Sequence, residues 1–259
     1  SKGFAVVKKA DTKSLIRRLA YNLTGLPPTQ AELQTGQSEL PDLIEQYLAS
    51  PRYGERWGRH WLDVARYSDG HGGFGDNKAL PNAWRYRDWV IKALNNDLPY
   101  DQFVTQQIAG DLIDSDKNPI ATGFFVVGPT YTSDGGDPEA KAQALAETLS
   151  DRVDTFSRAF LGLTAACARC HDHKFDPITT KDYYAIAGIF KNSRNSDIQV
   201  GDQRIIDAHN SWEKAIDDIN KNINVFLDEE SKRLKVNRKE VEKSLTTEAK
   251  NKVSNLRNE

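Results

Sequence analysis

The 259-residue chain has no methionine and only two cysteines. No stretch approaches the roughly 18–20 apolar residues that a membrane-crossing helix requires. Charge of one sign is also missing: 35 basic and 37 acidic residues leave a formal net charge of −2. That balance argues against a nucleic-acid partner held by a broad basic face. The first residues, SKGFAVVKKADTKSL, contain no long apolar run ahead of a cleavage site, so they do not read as a signal peptide. Aromatic residues are plentiful. Five Trp, nine Tyr and ten Phe can fill a core, which excludes disorder of the whole chain.

Composition shifts near residue 200. Of the 59 residues from 201 to 259, 24 are charged, against 48 in the first 200. The expected organisation is a globular body over 1–200 and a charged extension over 201–259. No internal repeat or low-complexity tract is apparent.

The periodicity predicts a mainly α fold, an irregular multi-helix body with a charged C-terminal helical hairpin. Leu15, Ile16, Leu19, Ala20 and Leu23 recur at helical spacing before Gly25 and Pro27–Pro28 stop them. Thr29 with Glu32 and Thr179 with Asp182 have capping-box spacing. Leu43, Ile44, Tyr47 and Leu48 mark another helix, and Pro51 opens one expected to reach about Tyr67. Trp84–Leu94 and Phe103–Leu112 read as two more. Residues 121–131 fit either a strand or a buried helix. Leu145, Leu149, Val153, Phe156, Phe160, Leu163, Cys167 and Cys170 make one stripe, predicting a long helix that runs into the cysteines. Trp212, Ile216, Ile219, Ile223 and Phe226 form a heptad seam. Val241, Leu245, Ala249, Val253 and Leu256 form a second stripe, with Asn237 as its cap. An antiparallel hairpin follows from the pair, serving as a spacer or as a partner-binding coiled coil.

Both cysteines fall in one pentapeptide, Cys167-Ala168-Arg169-Cys170-His171, the CxxCH signature of haem c attachment. The chemistry explains the spacing. Each thiol adds to one haem vinyl group, and the His next to the second Cys can reach the iron as the proximal ligand. Three other readings compete. A CxxC redox pair usually sits at a helix N-terminus, which the long preceding stripe disfavours. A zinc site would take Cys167, Cys170 and His173 with Asp172 or Asp176, but no second CxxC or spaced His pair exists. A disulfide or two free thiols are the third.

The sixth iron position cannot be filled by Met. His60 is the leading candidate, because its stripe position between Trp57, Trp61 and Val64 is expected to turn it inward. The competing reading is a core histidine bonded to a backbone carbonyl. His71, in the glycine-rich loop, is the next candidate. His173 points away from His171 on a helix and is expected to support the site from behind, while His209 is expected to be solvated. Asp69, Asp76 and Asn77 could hold calcium but do not match the EF-hand pattern. Arg66, Arg85 and Arg87 could meet haem propionates, or carboxylates such as Asp63 and Asp88. The Asn22-Leu23-Thr24 sequon lies in a helical pattern and carries no weight.

Several longer stretches extend the reading. They are LTGLPPT at 23–29, SPRYGERWGRHWLDVARYSDG at 50–70, WRYRDWVIKALNNDLPYDQF at 84–103, QIAGDL at 107–112, DRVDTFSRAFLGLTAACARCHDHKFDPI at 151–178 and DYYAIAGIF at 182–190. Through them the chain resembles the planctomycete-type cytochrome c domain family, catalogued largely as a domain of unknown function. The resemblance covers about 12–190. It implies a secreted bacterial protein, periplasmic or at the cell surface, with further domains flanking this one in a longer chain. It also implies haem c on Cys167, Cys170 and His171, and a context near polysaccharide-degradation systems. The expected function is therefore electron transfer through one covalent haem to a redox partner of unknown identity. The alternatives are a peroxidase- or oxidase-like haem enzyme with an open sixth site, or a scaffolding module without haem.

Overall fold

The computed structural model describes residues 9–70, 79–113, 119–132, 136–199, 201–235, 237, 239–240 and 242–247. Among them the chain is predominantly helical and contains no β-strand; Gly70 and Ala79 share an isolated bridge. Contacts divide the chain into two units, Ser1–Ile198 and Gln199–Glu259.

The first unit begins with α1 (Thr12–Leu23), capped by the Asp11 carboxylate, which accepts from the Ser14 amide at 3.0 Å and the Ser14 hydroxyl at 2.7 Å. These bonds hold the Asp11 carboxyl below its ordinary range. Thr29 and Glu32 do form the expected reciprocal bonds, but around a single 3₁₀ turn, Glu32–Gln34. Helices α2 (Leu40–Leu48) and α1 share a small core of Ile16, Ala20, Leu43 and Tyr47.

Helix α3 (Pro51–Val64) packs on α4 (Ala83–Asn95). Their closeness depends on glycine. A Cβ on Gly54 would stand 2.5 Å from the Ile91 carbonyl oxygen, and one on Gly58 3.2 Å from the Ile91 side chain. Asn95 fastens the crossing by accepting from the Gly54 amide at 2.8 Å and donating to the Pro51 carbonyl at 3.1 Å. The inward face of α3 is thus Gly54 and Gly58, continued by Trp61, Leu62 and Ala65.

Helix α5 (Tyr100–Ile113) is kinked at Ala109. Its Gln107 is fully buried and accepts from Trp61 Nε1 at 2.8 Å and the Tyr86 hydroxyl at 2.7 Å, while donating to the Phe103 carbonyl at 2.9 Å. A buried amide satisfied on both ends costs little and fixes three helices to one another. Burial pushes the Tyr86 phenol well above its ordinary value. The ambiguous segment 121–131 opens with a 3₁₀ turn, Ala121–Phe125, whose Phe124 enters the α3–α4 core. Phe125 packs against a second core made by Val153, Ala165, Ala168, Tyr183, Ala187 and Phe190.

The expected long helix into the cysteines does not form. Helix α6 (Pro138–Phe156) gives way to a widened π turn over Ser157–Leu161, and Gly162 then reverses the chain at φ +65°. Buried Ser157 supports the reversal: its carbonyl accepts from Leu163 N at 3.1 Å and its hydroxyl from Ala165 N at 3.3 Å. Cys167 follows in a separate 3₁₀ turn, Ala165–Arg169, and Cys170 caps that turn. Helix α7 (Thr180–Asn192) closes the unit, with the anticipated Thr179–Asp182 capping box.

In the second unit, α8 (Gln203–Leu234) is a 32-residue helix with Trp212, Ile219, Ile223 and Phe226 exposed along the seam. Asn237 accepts from the Glu240 amide at 3.1 Å, as a cap does, and residues 239–240 and 242–247 are helical. Of the second stripe, Leu245 is exposed, and Val241, Ala249, Val253 and Leu256 lie outside the described residues.

Candidate functional site

Residues 164–173 form a loop clasped at its two ends. His173 Nε2 lies 3.2 Å from the Thr164 hydroxyl. His173 Nδ1 accepts from the Asp176 amide at 2.9 Å and the Phe175 amide at 3.3 Å. A nitrogen that accepts twice carries no proton, so the Nε2–H donates to Thr164. The 3.4 Å approach of an Asp176 carboxylate oxygen to Nδ1 is therefore a near contact and not a hydrogen bond. His173 also donates its own amide to the Ile178 carbonyl at 2.8 Å. Its side chain is almost wholly buried, at 8% exposure, and its role is to close this loop.

Within the clasp, the three-residue repeat of the 3₁₀ turn sorts side chains by face. Ala165 and Ala168 are buried against α6 and α7. Cys167 and Cys170 are both exposed and unpaired. The Cys167 amide bonds back to the Thr164 carbonyl at 3.2 Å, so the clasp and the first thiol share one residue.

His171 is exposed, with Nδ1 2.8 Å from the Asp172 carbonyl oxygen. A carbonyl only accepts, so Nδ1 carries a proton, and in the neutral ring Nε2 is the nitrogen with the free lone pair, the arrangement of many metal-binding histidines. Asp172 in turn accepts from the Thr180 amide at 2.8 Å, tying the motif to the first turn of α7. The donor set therefore offers two exposed thiols and one exposed imidazole, which fits a haem held by two thioethers. It does not fit zinc. His173 faces inward, and among the described residues no group of three or more His, Cys, Asp or Glu could hold a metal ion.

His60 departs from its expected orientation. It is exposed on α3, its ring 5.5 Å from that of Trp57, on a face where Trp57 and Val64 are also exposed. The glycine face of α3 turns inward instead, because only that face lets α4 approach. Helix α3 packs chiefly on α4, whereas the CxxCH turn packs on α6 and α7. His209 is exposed beside Glu213, as expected. His71, Asp76 and Asn77 lie outside the described residues.

Of the three arginines, Arg87 pairs with Asp88 at 2.8 Å and Arg85 stacks 4.7 Å over Trp84. Arg66 does not pair with Asp63. From a left-handed backbone at φ +57° it reaches Asp151 and Asp154 of α6, and Arg158 joins Asp154 at 2.7 Å. These four residues line an open cleft of about 240 Å³ with Tyr131, Glu147, Ser150 and Ala166, the last adjoining Cys167. Arg152 and Thr155, beside this cluster, carry no signal in the sequence.

Fold and site together define a helical domain that presents a clasped Cys-x-x-Cys-His loop at its surface. The chain belongs to the PSCyt2 family, a protein of unknown function (DUF1549), which it matches over residues 1–195. No curated protein and no solved structure matches it.

Proposed function

We propose that this domain carries one covalent haem c, attached through Cys167 and Cys170 with His171 as proximal ligand, and passes electrons to a redox partner. The observation that carries the reading is the clasped loop, with both thiols exposed and the His171 Nδ1–H held by the Asp172 carbonyl. In thioether formation, each thiol S–H adds across a vinyl double bond, sulfur to one carbon and hydrogen to the other. When bound, the haem supplies a one-electron couple. The chain orients the proximal imidazole through Asp172, fixes the loop through Thr164 and His173, and seats it through Ala165 and Ala168. Attachment at a surface loop keeps a donor or acceptor protein within reach. Haem c attachment is an extracytoplasmic chemistry, so the proposed location is the periplasm or cell surface.

A dithiol reading gains from the structure, because the cysteines occupy a short separate turn and not the end of a long helix. Expression with a haem c maturation system separates the two. The proposed outcome is a chain whose mass rises by one haem and whose colour survives acid–acetone extraction. Extractable colour or the bare polypeptide mass would remove the haem reading. In a haem-loaded chain, carbon monoxide then separates electron transfer, with the sixth position filled, from a haem enzyme with that position open.

A further inference from the structure

Helix α6 carries one guanidinium that no carboxylate pairs among the described residues. Around two adjoining hollows Arg66, Arg152 and Arg158 stand with Asp151, Asp154 and Glu147, Asp151 being a wall of both. Arg66 is bonded to both carboxylates and Arg158 to Asp154. Among the described residues, Arg152 has no hydrogen bond or ion pair, and burial holds its guanidinium below its ordinary value. A half-buried guanidinium without a counter-ion has its donors free for an anion.

One turn on, Thr155 is 6% exposed and its hydroxyl has no hydrogen-bond partner. A helical threonine ordinarily donates to the carbonyl four residues back. Thr105 and Thr148 do so, to Asp101 at 2.6 Å and Ala144 at 3.0 Å. Thr155 does not, and with Arg152, Gly128, Pro129 and Phe125 it lines a cavity of about 10 Å³. That is room for about one oxygen atom. The wider cleft, past Asp151, has room for the body of a ligand.

We infer that Arg152 and Thr155 form a carboxylate-binding site, the anion seating one oxygen between guanidinium and hydroxyl while its remainder lies in the cleft beside Cys167. The planar guanidinium fork suits a carboxylate, and the Thr155 hydroxyl supplies a further donor. The inference does not rest on the haem reading, because the site is complete in the polypeptide. Two sources share the chemistry: a propionate of a bound haem and a free carboxylate ligand.

The test uses the full haem-free chain with sodium acetate as probe, against sodium chloride at equal ionic strength. Acetate should shift the Arg152 side-chain Nε–H resonance saturably and raise the melting temperature. Thr155→Val should weaken the acetate effect about tenfold, the equivalent of one charge-assisted hydrogen bond. Arg152→Gln should abolish it, and Arg152→Lys guards against a Gln variant that does not fold. The same titration on haem-loaded chain distinguishes the sources. Loss of the response assigns the site to the haem's own carboxylate, and persistence assigns it to a free ligand. An Arg152 resonance that ignores acetate, or equal acetate effects in wild type and Thr155→Val, overturns the site.

Discussion

His173 and Thr164, nine residues apart, meet at 3.2 Å and close the loop that holds Cys167, Cys170 and His171. The bond joins a buried imidazole to a hydroxyl whose own backbone anchors Cys167. Position in this loop is therefore set by the chain's own groups. His173→Ala leaves two backbone amides without their acceptor and should cost about 2–3 kcal/mol. Asn at 173 keeps an acceptor near the Nδ1 position and Gln keeps a donor near Nε2, so each should recover part of the loss. Denaturant unfolding, with hydrogen exchange at the Phe175 and Asp176 amides, measures both. Equal protection in wild type and His173→Ala would show that the clasp does not hold the loop.

The α3–α4 crossing makes a sharper stability prediction. Gly54→Ala drives a Cβ against the Ile91 carbonyl, which is backbone and cannot swing away. The expected loss is about 1–3 kcal/mol in chemical unfolding. Gly188, mid-α7, has open space where its Cβ would stand, so Gly188→Ala should stabilise by about 0.5–1 kcal/mol. Opposite signs are the expected result, and a neutral Gly54→Ala would mean that the helices separate at little cost.

Much of this fold was legible in the sequence because helical periodicity survives wherever a helix buries one face. Helices α1, α2, α4 and α7 lie close to their periodic stripes, and the Thr179–Asp182 cap forms as spaced. The failures share one cause: a stripe of apolar residues says nothing about breaks between turns, nor about which face is small. Leu145 to Cys170 looked continuous because residues on either side of the π turn and Gly162 happen to keep the same phase. The stripe turns His60 inward only if Trp57 and Val64 count as core, whereas Gly54 and Gly58 let a neighbouring backbone approach. The CxxCH motif was plain from its spacing. Its clasp was not, because a threonine and a histidine nine residues apart carry no periodic signal.

Acid should loosen the site from the α7 side. Backbone and side-chain bonds from Thr179 hold the Asp182 carboxyl below its ordinary value. A depressed carboxyl adds stability that is present above its unfolded value and lost as pH falls through the folded one. The cap should therefore persist at neutral pH and open below about pH 4. Amide shifts of Thr179 and Asp182, followed by NMR through an acid titration, report the opening. Asp182→Asn should leave the remaining pH dependence of these amides nearly flat. An unchanged titration in that variant would assign the acid transition to another group.

The last prediction concerns the iron ligands in haem-loaded protein. His171→Ala should remove the proximal nitrogen while leaving both thioethers, giving a chain that keeps covalent haem but changes its Soret and spin-state bands. His60→Ala should leave those bands as they are. His60 shares an exposed face with Trp57, and α3 is packed on α4 while the CxxCH turn is packed on α6 and α7. Paired spectra of the ferric and ferrous forms, with and without carbon monoxide, decide the matter. A shift from low to high spin in His60→Ala would establish His60 as the sixth ligand despite its exposed position. Bis-histidine ligation, with no methionine in the chain, would then set a potential below that of a His/Met cytochrome.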